Sequence, residues 1–160
     1  MTIRPEAPAD RAAIHAVVEA AFEQPAEADL VDRLREDGAT LLSLVAESDS
    51  EILGHILFSR MHVAETPAVA LAPVAVSPAH QGQGIGTALI RHGLELLRDA
   101  GERIVIVVGH AGYYPRFGFS TASAAAIESP FPRDVFMAME LTPGALDGVR
   151  GAVRYAEAFG

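Results

Sequence analysis

A strand-like apolar segment that leads into a glycine-rich turn is the feature that most limits what this chain can fold into. Val74-Ala75-Val76 is followed by Gln81-Gly82-Gln83-Gly84-Ile85-Gly86-Thr87, and an amphipathic helical pattern continues from there. Three glycines within five positions allow a tight turn and remove the side chains that would keep a ligand away from the backbone amides. The free N–H groups and positive dipole end of the following helix can then hold a phosphate or pyrophosphate. The sequence therefore predicts an anion-binding strand–turn–helix unit.

The spacing of the glycines distinguishes between the classes of phosphate-containing ligand that such a turn can bind. A dinucleotide site has G-x-G-x-x-G with an acidic residue about twenty positions later, whereas the apolar run Ile104 to Val108 stands there. A nucleotide P-loop needs Gly-Lys-Ser/Thr after the glycines, and this chain lacks it. The pattern Gln81-x-x-Gly84-x-Gly86 instead resembles the acyl-coenzyme A signature of the GNAT superfamily of N-acetyltransferases.

A second motif strengthens this resemblance. After the run ending at Val108, Tyr114 stands four residues before Gly118-Phe119, and this segment is similar to the short helix and Tyr-x-x-x-Gly-Phe turn of the superfamily. The doubled Tyr113-Tyr114 and the closing segment Gly151 to Tyr155 resemble its YhbS-like subgroup. The likeness therefore extends over essentially the whole chain and implies one N-acetyltransferase domain, residues 1–160.

The hydrophobic pattern predicts an α/β (α+β) fold. Helical spacing begins near Asp10 and again after the glycines, where it stops at Gly101. An antiparallel hairpin is predicted from the strands Thr40 to Ala46 and Ile52 to Phe58. These elements indicate a mixed, mostly antiparallel sheet with helices on both faces. Pro73 cannot donate a ladder hydrogen bond, so it predicts a bulge or an unpaired edge within the strand Val69 to Val76. The resemblance implies a twisted sheet of about seven strands whose central strands splay apart to admit the pantetheine arm.

The resemblance also implies the ligand and the reaction. Acetyl-CoA is expected as cosubstrate, with no metal, and acetyl transfer to a primary amine of a small molecule or protein is expected within a ternary complex. The alternative is a module that binds or senses acyl-CoA without turnover. The residues expected to contact the cofactor are Val74, Ala75, Val76, Gln81, Gly82, Gln83, Gly84, Ile85, Gly86, Thr87, Tyr114 and Phe117.

The sequence offers more than one candidate for each catalytic role. A phenol with a pKa near 10 stays protonated at neutral pH, so Tyr114 is the candidate proton donor to the departing sulfur, with Tyr113 as the alternative. Either tyrosine can instead be a packing aromatic. The strand before the glycines carries no acid, which leaves His110 as the candidate general base, by itself or through water. His55 and His62 are further possibilities, although a solitary histidine is more often structural.

Composition excludes several other classes. The chain has no cysteine, so disulfides and a cysteine acyl-enzyme are excluded. A formal net charge of -9 argues against a nucleic-acid partner and suits a cationic amine. No segment predicts a signal peptide or a membrane span, so a cytoplasmic location is expected. A homodimer is possible, with Tyr155 and Phe159 as candidate interface residues.

Overall fold

The computed structural model describes all residues from Met1 to Gly160. It contains three α-helices and eight strands, so the predicted α/β class is confirmed with one strand more than the approximate count of seven. In chain order these are β1 (Thr2–Pro5), α1 (Arg11–Phe22), α2 (Ala26–Glu36), β2 (Thr40–Ser48), β3 (Glu51–Val63), β4 (Thr66–Val76), α3 (Ile85–Asp99), β5 (Ile104–Val108), β6 (Ile127–Glu128), β7 (Phe136–Glu140) and β8 (Gly151–Arg154).

The strands form one open, mostly antiparallel sheet. Its order is β1-β2-β3-β4-β5-β7, and β8 pairs with the end of β3 and carries β6. The pairs β4–β5 and β6–β8 are parallel, and every other pair is antiparallel. The predicted hairpin is therefore confirmed as β2 and β3, although both strands extend further than the sequence pattern indicated.

Helices cover both faces of this sheet, as the hydrophobic patterns predicted. The apolar stripe of α3, which includes Leu89, Ile90 and Leu97, packs on one face. Ile14 of α1 and Leu34 of α2 are fully buried against the other face. None of the helices combines the length and the apolar character needed to cross a bilayer.

The two central parallel strands separate soon after they meet. β4 and β5 pair only at Val69 with Val105 and at Ala70 with Ile106. Beyond these residues β4 continues along β3 as far as Val76, and β5 continues along β7 as far as Val108. A gap therefore opens in the middle of the sheet, and its two edges carry backbone groups that no neighbouring strand takes up. The expected splay of the central strands is confirmed.

A bulge in β4 lies at the start of this gap. Leu71 is opposite Phe58 of β3, whereas Val74 is opposite Ile56, so β4 has one residue more than β3 between these pairs. The bulge predicted from Pro73 is confirmed. Its effect is to keep Leu71 and Val74 on the same face of the sheet, the face that α3 covers.

Candidate active site

The glycine turn forms a row of free backbone amides. Gly82 and Gly84 have φ values of +79° and +84°, a left-handed conformation that glycine adopts without strain. Helix α3 begins directly after Gly84, and none of the seven N–H groups from Gln81 to Thr87 donates a hydrogen bond within the protein. The Gln81 side chain fixes the turn to the end of β4 by donating to the carbonyl of Val76 at 3.1 Å. These amides and the helix dipole form a site for an anion.

No cationic side chain contributes to this turn. Residues 77–87 contain one histidine and neither lysine nor arginine. Within the turn itself, negative charge on a ligand would therefore be held by backbone N–H groups. This anion site depends on backbone conformation, which explains why a glycine pattern in the sequence predicts it.

The open edge of β4 supplies further donors. Ser77 N–H donates to Leu53 of β3 at 2.8 Å, so this residue faces the paired side of the strand. Because successive residues of a strand direct their backbone groups to opposite edges, the N–H groups of Val76 and Val74 face the gap. Of the three strand residues predicted to contact the ligand, Val74 and Val76 have amides placed to bond a ligand that enters between β4 and β5. The amide of Ala75 faces β3 instead, and its side chain is buried.

The two tyrosines of the second motif lie beside the start of α3, but they differ in their contacts. The hydroxyls of Tyr113 and Thr87 share a hydrogen bond of 2.9 Å. The ring of Tyr114 is buried over Gly109, where a Cβ atom would lie 2.3 Å from Cε2 of the ring, so only glycine fits. The Tyr114 hydroxyl has no hydrogen-bond partner within the chain and is not sealed from solvent. Burial, together with the neighbouring Tyr113, raises the pKa of Tyr114 to about 12.

An aromatic cluster with two arginines surrounds these tyrosines. The Phe117 ring packs edge-on against Tyr113 at 5.3 Å between centroids and is half-buried. The Arg91 guanidinium lies 5.1 Å from the centre of the Phe117 ring, and that of Arg116 lies 4.5 Å from the centre of the Tyr113 ring. The predicted contact residue Phe117 is thus brought next to the tyrosines and to Arg91 of α3.

A cavity of about 600 Å³ opens on the other side of the gap. Its floor is made by β4 and β5 where they part, and its walls come from the loop before β7 and from the C-terminal segment. Val108 and Phe131, which are 38% and 39% exposed, both line it. The lining residues are Ala70, Leu71, Ala72, Ile106, Val108, Pro130, Phe131, Val153, Arg154, Tyr155, Ala156, Glu157, Phe159 and Gly160.

The sequence did not indicate this cavity. It assigned Tyr155 and Phe159 to a possible dimer interface, and the structure places both in the cavity wall. The sequence signal was the group of aromatic residues near the C-terminus, but nothing local links them to the gap in the sheet.

The candidate histidines are in different environments. His110 follows β5, its side chain is exposed, and its carbonyl accepts the N–H groups of Tyr113 and Tyr114 at 3.0 and 3.2 Å. It is therefore close in the chain to the tyrosines and open to solvent. His62 is opposite Pro67 at the beginning of β4, roughly 13 Å along the strand from Leu71. His62 therefore lies at the wrong end of the sheet for catalysis.

His55 is fully buried in a polar network and cannot reach a substrate. Ser43 donates its hydroxyl proton to the Glu6 carboxylate, so Nε2 of His55 donates to the Ser43 oxygen across 2.7 Å. Arg35 donates to the same carboxylate at 2.9 and 3.1 Å. Nδ1 of His55 is buried without a partner. The network joins Glu6, the residue after β1, to β2, β3 and α2 and is structural, so the possibility that His55 acts as a base is wrong.

This network predicts loss of stability in acid. Burial lowers the pKa of His55 to about 4, whereas the unfolded chain binds this proton near pH 6.5. The unfolded state therefore binds more protons between these values, and the free energy of unfolding falls by about 3 kcal/mol as the pH falls through this window. Burial alone would raise the pKa of Glu6, but hydrogen bonds from Arg35 and Ser43 lower it, which acts in the same direction.

Thermal unfolding between pH 7 and 4.5 measures this effect. The Tm of the wild-type chain is expected to decrease in acid, and that of His55→Gln to decrease distinctly less, whatever its value at pH 7. Equal acid dependence in the two proteins would show that His55 does not carry the effect.

Comparison with known proteins gives one consistent family. A family model described as the Acetyltransferase (GNAT) family matches residues 11–119. The uncharacterized N-acetyltransferase YhbS of Escherichia coli K12 is 38% identical over 164 residues, which cover 99% of this chain and 98% of that protein. A crystal structure of Escherichia coli YhbS in complex with CoA has a TM-score of 0.93 at 37% identity, covering 99% of this chain and 91% of that one. A GNAT family acetyltransferase from Brucella melitensis in complex with acetyl-CoA has a TM-score of 0.86 at 41% identity, covering 99% and 97%.

The family match includes both motifs of the site. Its span contains the glycine turn and the segment from Tyr113 to Phe119, and the resemblance drawn from these motifs is confirmed. With the family model over more than half of the chain and a full-length relative at 38% identity, this chain belongs to the GNAT acetyltransferase family.

Proposed function

We propose that this protein transfers an acetyl group from acetyl-CoA to a primary amine, by direct attack in a ternary complex. The observation that carries the proposal is the row of seven free amides at the start of α3, placed beside the gap between β4 and β5. The CoA and acetyl-CoA complexes of the two similar structures support the same ligand.

The residues of the site fit such a ligand. The amides from Gln81 to Thr87 are suited to its pyrophosphate, because they are free and lie at a helix N-terminus. The open-edge amides of Val74 and Val76 are suited to the amide groups of its pantetheine arm and to the thioester oxygen. Acetyl-CoA supplies an activated thioester carbonyl. A backbone donor aimed at that oxygen stabilises the charge that develops on it during the reaction.

Tyr114 is the proposed proton donor. With its pKa raised to about 12, its phenol is protonated throughout the neutral range and can protonate the departing sulfur when the C–S bond breaks. Tyr113 is less suited, because its hydroxyl is already engaged with Thr87. Each turnover therefore uses the phenol proton of Tyr114, and a proton from solvent must replace it before the next turnover.

The amine must lose a proton before or during formation of the C–N bond. A mostly apolar cavity disfavours the charged ammonium and so lowers the pKa of a bound amine. This effect reduces the need for a strong base, in agreement with the absence of an acid from Leu71 to Val76. His110, exposed at the end of β5, is the proposed acceptor of that proton, through water.

Thermal unfolding with acetyl-CoA, CoA and NAD in parallel tests the ligand. A ligand at a hundred times its Kd adds about 2.7 kcal/mol to the free energy of unfolding, which corresponds to an increase in Tm of roughly 5 to 10 °C. We expect this increase with the two CoA species and none with NAD. Thiol release on addition of an amine then tests transfer. No shift at millimolar CoA would overturn the proposal.

A further inference from the structure

We propose that the cavity selects a primary amine bearing one aromatic or branched apolar group, and that Phe131 is a specificity-determining residue for it. This inference rests on the proposed function, since it assigns the acceptor side of the same reaction. It concerns small molecules and not the amino groups of proteins or peptides.

The position of the cavity makes it the acceptor side. Its floor includes Leu71 and Ala72 of β4 and Val108 of β5, the residues at which the two strands have separated. The glycine turn and α3 lie on the opposite face of the sheet. A group in the gap is therefore reached from one face by the tyrosines and from the other by whatever occupies the cavity.

The lining of the cavity indicates the shape and polarity of the group that the acceptor amine carries. Ten of its 14 lining residues are hydrophobic, and its volume of about 600 Å³ lies within the range for small-molecule sites. Phe131 packs against Tyr155 with 6.1 Å between ring centroids, and Tyr155 packs against Phe159 at 5.4 Å. These three side chains form a continuous aromatic wall, which favours a flat or branched apolar group on the ligand.

The cavity has few charged side chains, which argues against an acceptor with several cationic groups. Arg154 and Glu157 are its only charged side chains, and both are exposed. The carboxylate of Glu157 can attract the ammonium form of the acceptor at the entrance. An amine with several ammonium groups would place some of them against the apolar floor without a partner, which is costly. This argues against a polyamine or an aminoglycoside.

Phe131 is well placed for a test because its side chain is 39% exposed and contributes little to the core. Leu41, also 39% exposed, lies in β2 outside the cavity and provides the control. The experiment measures initial rates and KM for 2-phenylethylamine, 3-methylbutylamine, spermidine, kanamycin and a peptide with a free N-terminal alanine. Wild-type protein, Phe131→Ala, Phe131→Leu and Leu41→Ala are compared, each saturated with acetyl-CoA.

We expect the two apolar amines to have kcat/KM values at least roughly tenfold above the other three acceptors. Phe131→Ala should lower kcat/KM for 2-phenylethylamine by roughly ten- to a hundredfold, mainly through KM, whereas Phe131→Leu should retain most of it and Leu41→Ala all of it. The Kd for acetyl-CoA should be the same in every variant.

Three outcomes would overturn the inference while leaving the proposed function in place. The first is a preference for spermidine, kanamycin or the peptide, and the second is acetyl-CoA binding with no acetylation of either apolar amine. The third is an equal effect of Phe131→Ala and Leu41→Ala. Failure of acetyl-CoA to bind the wild-type protein is a different result, because it would remove the proposed function itself.

Discussion

Replacing Tyr114 with phenylalanine is expected to lower kcat for acetyl transfer by roughly a hundredfold or more, with acetyl-CoA binding unchanged. The change removes the proton that the phenol would give to the departing sulfur. It leaves the ring that packs over Gly109, and it removes no hydrogen bond, since the hydroxyl has no partner within the chain. Stability should therefore be preserved, and the loss should be confined to turnover.

Tyr113→Phe is the matched control for this experiment. It removes a hydroxyl of the same kind from the same aromatic cluster, but that hydroxyl is bonded to Thr87. A decrease in kcat of less than about tenfold is expected for it. A larger effect in Tyr113→Phe than in Tyr114→Phe would assign the proton to Tyr113 instead.

The pH dependence adds a second readout for Tyr114. Because its pKa is raised to about 12, the phenol keeps its proton from pH 7 to pH 10. The ratio of wild-type to Tyr114→Phe rates should therefore be constant over this range. A ratio that falls with an apparent pKa below 10 would contradict the assigned role.

Replacing Gly86 with aspartate is expected to weaken acetyl-CoA binding by roughly a hundredfold. Gly86 lies in the first turn of α3, among the free amides. Two like charges 4 Å apart repel by about 4 kcal/mol at an effective dielectric constant of 20, and exposure to solvent reduces this value. A carboxylate near a helix N-terminus stabilises the helix, so the variant should fold.

Gly86→Ala separates the effect of charge from that of size. A Cβ atom at this position lies 3.6 Å from Val76 Cγ2 and 3.8 Å from the Tyr113 hydroxyl, which is ordinary contact. The alanine variant should be more stable by up to about 1 kcal/mol through helix propensity and bind acetyl-CoA nearly as the wild type does. The difference between the two variants, measured by calorimetry, should shrink at high salt. Equal Kd values for both would show that no anion is held at this helix terminus.

The parts of the fold and site that could be predicted are those specified by short stretches of sequence. The glycine turn requires left-handed torsions at Gly82 and Gly84, and only a local pattern is needed to see this. The β4 bulge followed from the missing N–H of Pro73. The tyrosine segment was found by the spacing of Tyr114 and Gly118. Each of these is a property of backbone conformation within a few residues.

The cavity could not be predicted because its walls are distant in the chain. It joins β4, β5, the loop at Phe131 and the segment from Val153 to Gly160, which meet only when the sheet is assembled. The contact between Tyr113 and Thr87 spans 26 residues and has no sequence signal either. Periodicity predicts which face of an element is buried, but not which elements share a space.

The bulge in β4 determines where the chain can change in length. Deleting one residue between Leu71 and Val74 would remove the extra residue of β4, so Leu71 would stay opposite Phe58 and Val74 would stay opposite Ile56 in a regular ladder. The amides of Val74 and Val76 would still face the gap, and only the local bend of the strand would be lost. Deleting Ala75 instead would bring Val76 opposite His55, which turns its amide away from the gap and its side chain away from the face that α3 covers. Relatives that keep this site are therefore expected to lose a residue from this part of β4 only at the bulge.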